Sequence, residues 1–368
     1  MKIFNVVGAR PNFIKVAALW RVEKQNNRIE PFLVHTGQHS LSMTSRLLEQ
    51  LELPQPDFYL GDHFRISRHP LGSVLQLTSI CDAFARLLLE SRPNLVIVVG
   101  DVNSTISCAL AASLFDIPIA HVEAGLRSGD RSMPEEINRI LTDHLSQLHF
   151  TTSLGAKENL LREGISSDSI EFVGNTVIDT LVWKLPEIES SNILTHLDVR
   201  PKSYVVLTVH RVSNVDNESN LKSILAAVER IQRKIPIVFP VHPRKRSRLK
   251  EYGLITSLSE LPNLRIVDPL DYLDFVKVVK ESKFVITDSG GIQDETAYLG
   301  ISCLTLREST ERPETVLAGT NYLVGTTPDK IIQQAERWLG EAPLITSGPH
   351  LWDGHSAERI VQRILDSR

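Results

Sequence analysis

The chain has 368 residues, of which 42% are hydrophobic and 23% charged, and its formal net charge is −4 at pH 7. This length fits two α/β domains, and the composition is that of a globular protein. A negative net charge excludes a global field that recruits nucleic acid or an anionic membrane, so neither is expected as a partner. An anionic ligand must therefore be bound by local positive groups.

The cysteines and the first residues predict a cytoplasmic protein without a metal site. Cys81, Cys108 and Cys303 are far apart and form no CxxC pair, which argues against a disulfide framework and a zinc site. Residues 2–7 resemble a strand and lack the features of a signal peptide. No uninterrupted apolar run approaches the roughly 18 residues of a membrane span.

Strand-like and helix-like segments alternate along the chain, which predicts parallel sheets with helices on both faces. In the first half, the predicted strands are residues 3–7, 32–36, 95–99, 117–122, 148–152 and 171–173, and the predicted helices are 13–22, 71–89, 103–115 and 135–145. The pattern weakens over residues 183–202, which we interpret as a linker. In the second half, the predicted strands are 204–209, 235–240, 284–287 and 301–306, and the predicted helices are 219–233, 272–281, 291–299, 328–339 and 356–365.

Residues 287–295, Thr-Asp-Ser-Gly-Gly-Ile-Gln-Asp-Glu, stand between a buried strand and a helix that we expect to end at Gly300. Ser289, Gly290 and Gly291 allow a tight turn at a helix N-terminus, where unpaired N–H groups favour a phosphate. Glu295 offers an acceptor to sugar hydroxyls. The stretch predicts a site for a ribose and a diphosphate; the alternative interpretation is an ordinary strand–helix turn.

Polar side chains also follow the other predicted strands. They are Arg10 and Lys15, Asp101, Glu123, Glu135, His210 and Arg211, and the basic run of residues 242–250. Each has a structural alternative: an N-cap for Asp101, a favourable helix start for Glu135, and a solvated helix face for the basic run. Residues 8–11, Gly-Ala-Arg-Pro, do not match the GxGxxG fingerprint, so no nicotinamide cofactor is expected. Together the side chains suggest that one half moves protons and the other binds a diphosphate.

A series of short motifs spans the chain. They are Gly8-Ala9-Arg10-Pro11 with Lys15, Gly37-Gln38-His39, Gly100-Asp101, residues 121–127, 134–139, 208–211, 287–291 with Glu295, 310–314, and Asp353-Gly354. In this order they resemble the non-hydrolysing UDP-N-acetylglucosamine 2-epimerases. The resemblance implies a GT-B architecture: two Rossmann-like, doubly wound α/β domains with an interdomain cleft. The domains would be residues 1–174 with 355–368, and residues 175–354.

The resemblance also implies the site residues. Catalytic roles would fall to Asp101, Glu123, Glu135 and His210, and substrate would be bound by Arg10, Lys15, His210, Leu270, Phe275, Ser289, Gly290, Gly291, Glu295 and Arg312. The second domain would hold UDP, with the phosphates at the glycine turn, the ribose at Glu295 and the uracil between Leu270 and Phe275. The family expels UDP as sugar carbon 2 loses its proton, which gives a glycal, and then adds UDP back. No cofactor or metal is implied.

The chain departs from the common family pattern around the sugar. Ser40-Leu41, residues 61–69, and Val212-Ser213 replace the usual residues, so we do not expect the allosteric second substrate site of some bacterial members. The sugar therefore remains open. A 2-epimerase of UDP-2,3-diacetamido-glucuronate, suited by Arg65 and Arg68, is the main alternative. A GT-B glycosyltransferase and a non-catalytic nucleotide-sugar binding protein are others. The resemblance further implies a homodimer through the first domain and a role in cell-surface polysaccharide biosynthesis.

Overall fold

Alternating strands and helices build two parallel sheets, one in each of two units of the chain. The computed structural model describes residues 1–63, 70–340 and 348–367. One unit comprises Met1–Trp183 with His350–Arg368, and the other comprises Lys184–Pro349. The predicted α/β class, with two Rossmann-like domains, is confirmed by these two sheets.

The described strands and helices have the following bounds. The strands are β1 Lys2–Val7, β2 Glu30–His35, β3 Phe58–Tyr59, β4 Leu95–Val99, β5 Ile119–Ala124, β6 Leu148–Thr151, β7 Ile170–Phe172, β8 Val205–Thr208, β9 Ile237–Pro240, β10 Leu264–Val267, β11 Phe284–Thr287, β12 Cys303–Thr305 and β13 Asn321–Leu323. The α-helices are α1 Arg10–Lys24, α2 Leu41–Gln50, α3 Pro70–Glu90, α4 Asn103–Leu114, α5 Pro134–Leu145, α6 Leu154–Arg162, α7 Thr176–Ser190, α8 Ile193–His196, α9 Val212–Val215, α10 Glu218–Ile231, α11 Pro243–Glu251, α12 Ile255–Ser259, α13 Tyr272–Lys280, α14 Gly290–Leu299, α15 Pro313–Leu317, α16 Pro328–Gly340 and α17 Ser356–Asp366.

The sheet of the first unit has the strand order β3-β2-β1-β4-β5-β6-β7, and every pairing is parallel. All five residues of β4 are buried, as expected for a strand covered by helices on both faces. Phe4, Val96 and Val98 pack with Phe84 of α3 and Ala109 of α4 on one face of the sheet. The small residues of α4 let this helix lie close to the strands.

The sheet of the second unit has the order β10-β9-β8-β11-β12-β13 and is also entirely parallel. Alternate strand residues point to opposite faces. Val205 and Leu207 pack against α10 and α16, whereas Val206 packs against Val278 and Val279 of α13. Both faces are thus covered, which explains the near-continuous apolar strands of this half.

The sequence analysis predicted the linker and the domain boundaries differently from the structure. Residues 183–202, predicted as a linker, contain the end of α7 and all of α8. The first half of α7 belongs with the first unit, because Thr180 Oγ1 donates to the carbonyl of Ile14 at 2.7 Å and Asp179 accepts the N–H of Ala357 at 2.6 Å. Trp352 Nε1 donates to the carbonyl of Thr152 at 2.9 Å. The first unit therefore extends to residue 183 and resumes at 350, rather than ending at 174 and resuming at 355.

Helix α3 is long and apolar enough, by length and composition, to cross a membrane: residues Leu71–Glu90 reach a mean hydropathy of 1.2. Gln76, Asp82 and Arg86 divide its apolar residues into short runs, so the sequence contains no uninterrupted apolar run of that length here. Ile80 and Phe84 nevertheless lie in the core of the first unit. A core helix satisfies the same test, so this composition is weak evidence for a membrane span.

Candidate active site

In each sheet the strand order reverses beside the first strand of the unit, between β1 and β4 and between β8 and β11. Ligands of open α/β sheets bind beyond the carboxyl ends of the strands at such a reversal. Residues 8–10 and 100–101 follow β1 and β4, and residues 209–211 and 288–291 follow β8 and β11. The sequence candidates in these segments therefore lie at the expected edge of each sheet.

Lys15 and Glu123 form a buried ion pair at this edge of the first sheet, between Nζ and Oε2. A Cβ at Gly100 would lie 2.8 Å from Lys15 Nζ and 3.2 Å from Glu123 Oε2, so the turn after β4 packs directly on the pair. Glu123 has a φ of 71°, a left-handed conformation that is costly for a residue with a side chain. Backbone strain of this kind concentrates at functional sites.

Helix α5 holds Asp101, the residue after Gly100. Arg139 Nη2 donates to Asp101 Oδ2, and Arg139 Nη1 donates to Glu136 Oε2 at 2.8 Å. Glu136 in turn accepts the N–H groups of Ser128 and Gly129 at 3.0 and 2.9 Å. The Asp101 side chain is 30% exposed, whereas those of Arg139 and Glu136 are almost fully buried. A buried guanidinium thus presents a carboxylate that solvent or substrate can reach.

The other two first-unit candidates lie outside these ion pairs. Glu135, in the first turn of α5, is exposed, and its neighbour Glu136 is the buried acid. Among the described residues, no hydrogen bond or ion pair joins Glu135 to Asp101 or Glu123. Arg10 is exposed at the start of α1, where its N–H donates to His39 Nδ1 at 3.3 Å. The roles of Glu135 and Arg10 stay predictions.

A buried histidine and aspartate support the backbone around both carboxylates. His121 Nδ1 lies 2.6 Å from Asp143 Oδ1, and His121 Nε2 lies 2.8 Å from the carbonyl of Gly100. Asp143 also accepts the N–H of Gly125 at 3.2 Å. Burial raises the pKa of Asp143, but the charges of His121 and Arg127 outweigh it and hold that pKa below its ordinary value. The two ring nitrogens of His121 thus contact the carboxylate of Asp143 and the carbonyl of Gly100, which links α5 to the turn after β4.

Asp288 organises the corresponding edge of the second sheet. Its carboxylate accepts the N–H groups of His210 and Arg211 at 2.9 and 3.0 Å, and Asn214 Nδ2 at 3.0 Å. His210 Nδ1 lies 2.7 Å from Asp288 Oδ1. Burial raises the pKa of Asp288, yet the hydrogen bonds from His210, Arg211 and Asn214 lower it to about 2. The ionised carboxylate orients the His210 ring through Nδ1, and the ring keeps 45% of its surface exposed.

Helix α14 begins at Gly290, and Asp288 and Ser289 connect it to the end of β11 at Thr287. Within this fully described helix, Ser289 makes no side-chain cap and the first turn has no acidic residue. The N–H groups of the first turn and the helix dipole therefore favour an anion. The helix ends at Gly300, whose φ of 66° gives the left-handed cap that the sequence predicts.

Arg312 packs against the first turn of α14. Its Nε lies 2.8 Å from both Asp294 carboxylate oxygens, and its Nη1 donates to Glu311 Oε1 at 2.8 Å. A Cβ at Gly290 would lie only 2.7 Å from Arg312 Nη1, so glycine is needed for this approach. The guanidinium is buried in ion pairs, and its predicted contact with a sugar stays a prediction.

The candidates for the nucleoside lie around the same helix. Glu295 is buried on α14. Leu270 and Phe275 are half-buried and pack against a core cluster that includes Val285 and Ile292. The contacts of these three side chains with uracil and ribose stay predictions.

Sequence reasoning missed several supporting residues. Glu136 and Asp143 lie within an amphipathic helix, where spacing along the chain does not reveal partners on other elements. Asp288 carried a usable signal, since it directly precedes the predicted phosphate turn. Arg65 and Arg68, which would favour the modified sugar, lie outside the described residues. Among the described residues, no group of three or more His, Cys, Asp or Glu could hold a metal ion.

Comparison with known proteins gives one consistent result. A family model described as UDP-N-acetylglucosamine 2-epimerase matches residues 21–365. The UDP-N-acetylglucosamine 2-epimerase of Methanocaldococcus jannaschii is 40% identical over 371 residues, covering 99% of each chain. Its crystal structure in complex with UDP-GlcNAc and UDP matches with a TM-score of 0.92 and 39% identity over both full chains. The UDP-2,3-diacetamido-2,3-dideoxy-D-glucuronate 2-epimerase of Pseudomonas aeruginosa is 36% identical over 98% of this chain and 99% of its own.

Proposed function

Because the chain belongs to the UDP-N-acetylglucosamine 2-epimerase family, we propose that it interconverts UDP-N-acetylglucosamine (UDP-GlcNAc) and UDP-N-acetylmannosamine (UDP-ManNAc). The observation that carries this choice of sugar is the full-length match to the M. jannaschii enzyme in complex with UDP-GlcNAc and UDP. The proposal includes a cytoplasmic location and a product that feeds cell-surface polysaccharide synthesis, as the family resemblance implies.

The chemistry proceeds by elimination and readdition. Carbon 2 of the sugar has no adjacent carbonyl, so its proton is removed while the bond from carbon 1 to the UDP oxygen breaks. The electron pair of the C–H bond forms the double bond of the glycal, and UDP leaves with the electron pair of the broken C–O bond. Readdition of UDP at carbon 1, with a proton delivered to the opposite face of carbon 2, gives the epimer. Holding UDP in place keeps the second step effectively intramolecular.

The second unit binds UDP and stabilises its developing charge. The N–H groups at Gly290 and Gly291 and the hydroxyl of Ser289 receive the diphosphate, since the Ser289 N–H already donates to Thr287 Oγ1 at 3.0 Å. Arg10 is a further phosphate ligand. Asp288 contacts Nδ1 of His210, so Nε2 is the ring nitrogen that faces the diphosphate in this proposal. Fixed donors at the site of developing charge stabilise a transition state more than a ground state.

The first unit moves the proton at carbon 2. Epimerisation needs groups that act on both faces of the carbon, and Asp101, Glu123 and Glu135 are the three proposed acid/base groups. The cation Arg139 beside Asp101 favours the ionised carboxylate that accepts a proton. Lys15 beside Glu123 stabilises charge on that carboxylate in the same way.

The choice of sugar is tested by comparing substrates. UDP-GlcNAc and UDP-2,3-diacetamido-glucuronate are incubated separately with the enzyme, and product formation is followed by proton NMR. We expect the kcat/KM for UDP-GlcNAc to exceed that for the uronate at least about 100-fold, because a site specific for the uncharged sugar desolvates the carboxylate of the uronate. The opposite preference would assign the enzyme to the modified sugar.

We propose that the enzyme is a homodimer through the first unit. Apolar side chains are exposed on helices that pack side by side: Leu71, Val74 and Leu75 on α3, and Leu110 and Leu114 on α4. Leu114 is 75% exposed. A second copy of the same face would remove this surface from water, and isologous dimers are the commonest assemblies. The core packing of Ile80 and Phe84 on the other side of α3 opposes its insertion into a membrane.

The dimer is tested by analytical ultracentrifugation of wild type and of a Leu110→Glu/Leu114→Glu variant. Two buried leucines contribute about 1.5–3 kcal/mol each, so we expect the wild type to sediment as a dimer and the variant as a monomer at micromolar concentration. The control, Leu154→Glu, alters an exposed leucine of α6 and should remain dimeric. A monomeric wild type that floats with liposomes would indicate a membrane surface instead.

A further inference from the structure

A chain of side-chain amides connects Asp101 to helix α3. Asn138 Nδ2 donates to the main-chain carbonyl of Asp101 at 2.9 Å and to Asn103 Oδ1 at 3.1 Å. Asn103 Nδ2 donates to Gln76 Oε1 at 2.8 Å. Gln76 Nε2 then donates to the carbonyl of His63 at 2.7 Å. We call Asn138, Asn103 and Gln76 the amide relay.

The amide relay is fixed by burial. Gln76 is 5% and Asn138 is 6% exposed, so neither amide can readily replace a lost partner with water. The amides donate in one direction, from Asn138 of α5 to Asn103 of α4 and from Asn103 to Gln76 of α3. Hydrogen bonds aligned in this way strengthen one another. A substitution of Gln76 therefore alters the hydrogen bonds of Asn138 through Asn103, although Gln76 and Asn138 lie on different helices.

Asp101 depends on this support more than a core residue does. Its side chain is 30% exposed, so packing alone does not set its position. Two successive residues of α5 hold it instead: Asn138 binds its main chain, and Arg139 binds its carboxylate. Proton transfer is sensitive to a misplacement of about 1 Å in the acid/base group. The amide relay is thus placed where it sets the geometry of the proposed proton transfer.

We propose that Gln76 and Asn103 are positioning residues for the epimerisation, which act through Asn138 on Asp101. The inference rests on the proposed function, since it assigns these amides to the proton-transfer step of that reaction. Neither residue touches the substrate in this assignment. Their effect is on kcat, because UDP is bound by groups of the second unit.

The chain offers a matched control for the α3–α4 contact. Ser107 Oγ of α4 donates to the carbonyl of Leu77 of α3 at 3.0 Å. Ser107 is buried, like Gln76, and joins the same two helices. Within the described residues, it makes no hydrogen bond to the amide relay or to Asp101. Ser107→Ala therefore removes a buried α3–α4 bond without altering the support of Asp101.

The test compares Gln76→Met, Asn103→Ala and Ser107→Ala. Methionine keeps the length of Gln76 and removes both hydrogen bonds, and the less buried Asn103 provides a variant that folds if Gln76→Met does not. We expect the two relay variants to lower kcat about 10- to 100-fold, with KM and the Kd for UDP within about threefold of wild type. Ser107→Ala should keep kcat within about twofold at a comparable loss of Tm.

A double-mutant cycle separates coupling from general destabilisation. If the relay acts as a unit, Gln76→Met should add little to the kcat loss of Asn138→Leu. Additive losses, or kcat losses no larger than that of Ser107→Ala at equal Tm, would overturn the inference while the wild type still epimerises UDP-GlcNAc. A wild type that does not epimerise UDP-GlcNAc would overturn the proposed function and this inference together.

Discussion

Asp101 and Glu123 differ from ordinary surface acids because the cation that each one contacts is buried. Arg139 is almost fully buried beside Asp101, and Lys15 is buried beside Glu123. A buried positive charge favours the ionised form of a neighbouring carboxylate, which is the form that removes a proton. In the second unit the buried group is a carboxylate instead of a cation, and Asp288 orients the more exposed ring of His210.

Replacing Asp101 with Asn tests its assignment as an acid/base group. The amide has nearly the same shape but cannot accept the proton, so Asp101→Asn should lower kcat at least about 100-fold. The Kd for UDP, measured by calorimetry, should stay within about threefold. Glu158→Gln, at a more exposed acid that pairs with Arg162, is the control and should keep full activity. Loss of UDP binding in Asp101→Asn would show that Asp101 belongs to the nucleotide site.

Glu23 is a buried acid away from the carboxyl edge of the sheet, and its protonation should control stability. Burial raises its pKa to about 8, against a smaller lowering by the Asn5 hydrogen bond, whereas the unfolded chain ionises near 4.5. The neutral form therefore contributes stability fully below about pH 4.5, and that contribution is lost as the pH rises to about 8. Glu23→Gln should raise the free energy of unfolding at pH 8 by up to roughly 4 kcal/mol, and by little at pH 4.5.

Denaturant unfolding at several pH values checks this difference. Glu90→Gln changes an exposed acid at the end of α3 and should show no such pH dependence. A Glu23→Gln variant that is less stable than wild type at pH 8 would contradict the raised pKa of Glu23 in the folded protein.

The carboxylates could be predicted from the sequence, but their partners could not. Asp101 and Glu123 stand at the ends of apolar runs, which is a local signal. Lys15 is 108 positions from Glu123, and Arg139 is 38 positions from Asp101. Such pairs depend on which strands become neighbours, and residue spacing carries no information about that.

At the scale of elements, the start of α14 shows how neighbouring side chains determine which residue a tight turn can contain. Position 290 requires glycine because Arg312 and Glu311 occupy the space where a side chain would stand. Gly291, one position later, has nothing within 4 Å of an added Cβ. Packing therefore requires glycine at position 290 but leaves space for a side chain at position 291.

Substituting each glycine with alanine tests this difference in the ligand-free protein. Gly290→Ala should lower the free energy of unfolding by about 1–3 kcal/mol, because a Cβ 2.7 Å from Arg312 Nη1 forces a shift of the buried ion pairs. Gly291→Ala should be neutral or stabilise by up to about 1 kcal/mol, since alanine favours a helix. Equal effects in chemical denaturation would contradict the packing argument.

The success of the element predictions depended on the kind of signal. The helix end at Gly300 was predictable because glycine punctuation is local. Helix α7 was not, since Pro186 and the polar residues around it resemble a linker. Its first half is stabilised by bonds from Thr180 and Asp179 to distant segments, which overrides the weak local pattern.

At the scale of the whole molecule, both units repeat one design. Each has a parallel sheet whose order reverses next to its first strand, and each places some of its candidate residues at that reversal. The alternation of strands and helices was enough to predict two such sheets. We propose that the second unit binds the departing UDP and the first moves the proton at carbon 2, so the reaction requires both.

Hydrogen exchange at the sugar tests this account most directly. The wild-type enzyme is incubated with UDP-GlcNAc in D2O, without any acceptor, and both UDP-sugars are analysed by NMR and mass spectrometry. Elimination and readdition predict one deuterium at carbon 2 of UDP-ManNAc and, with time, of UDP-GlcNAc. Formation of UDP-ManNAc without deuterium at carbon 2, or unchanged UDP-GlcNAc after prolonged incubation, would contradict it.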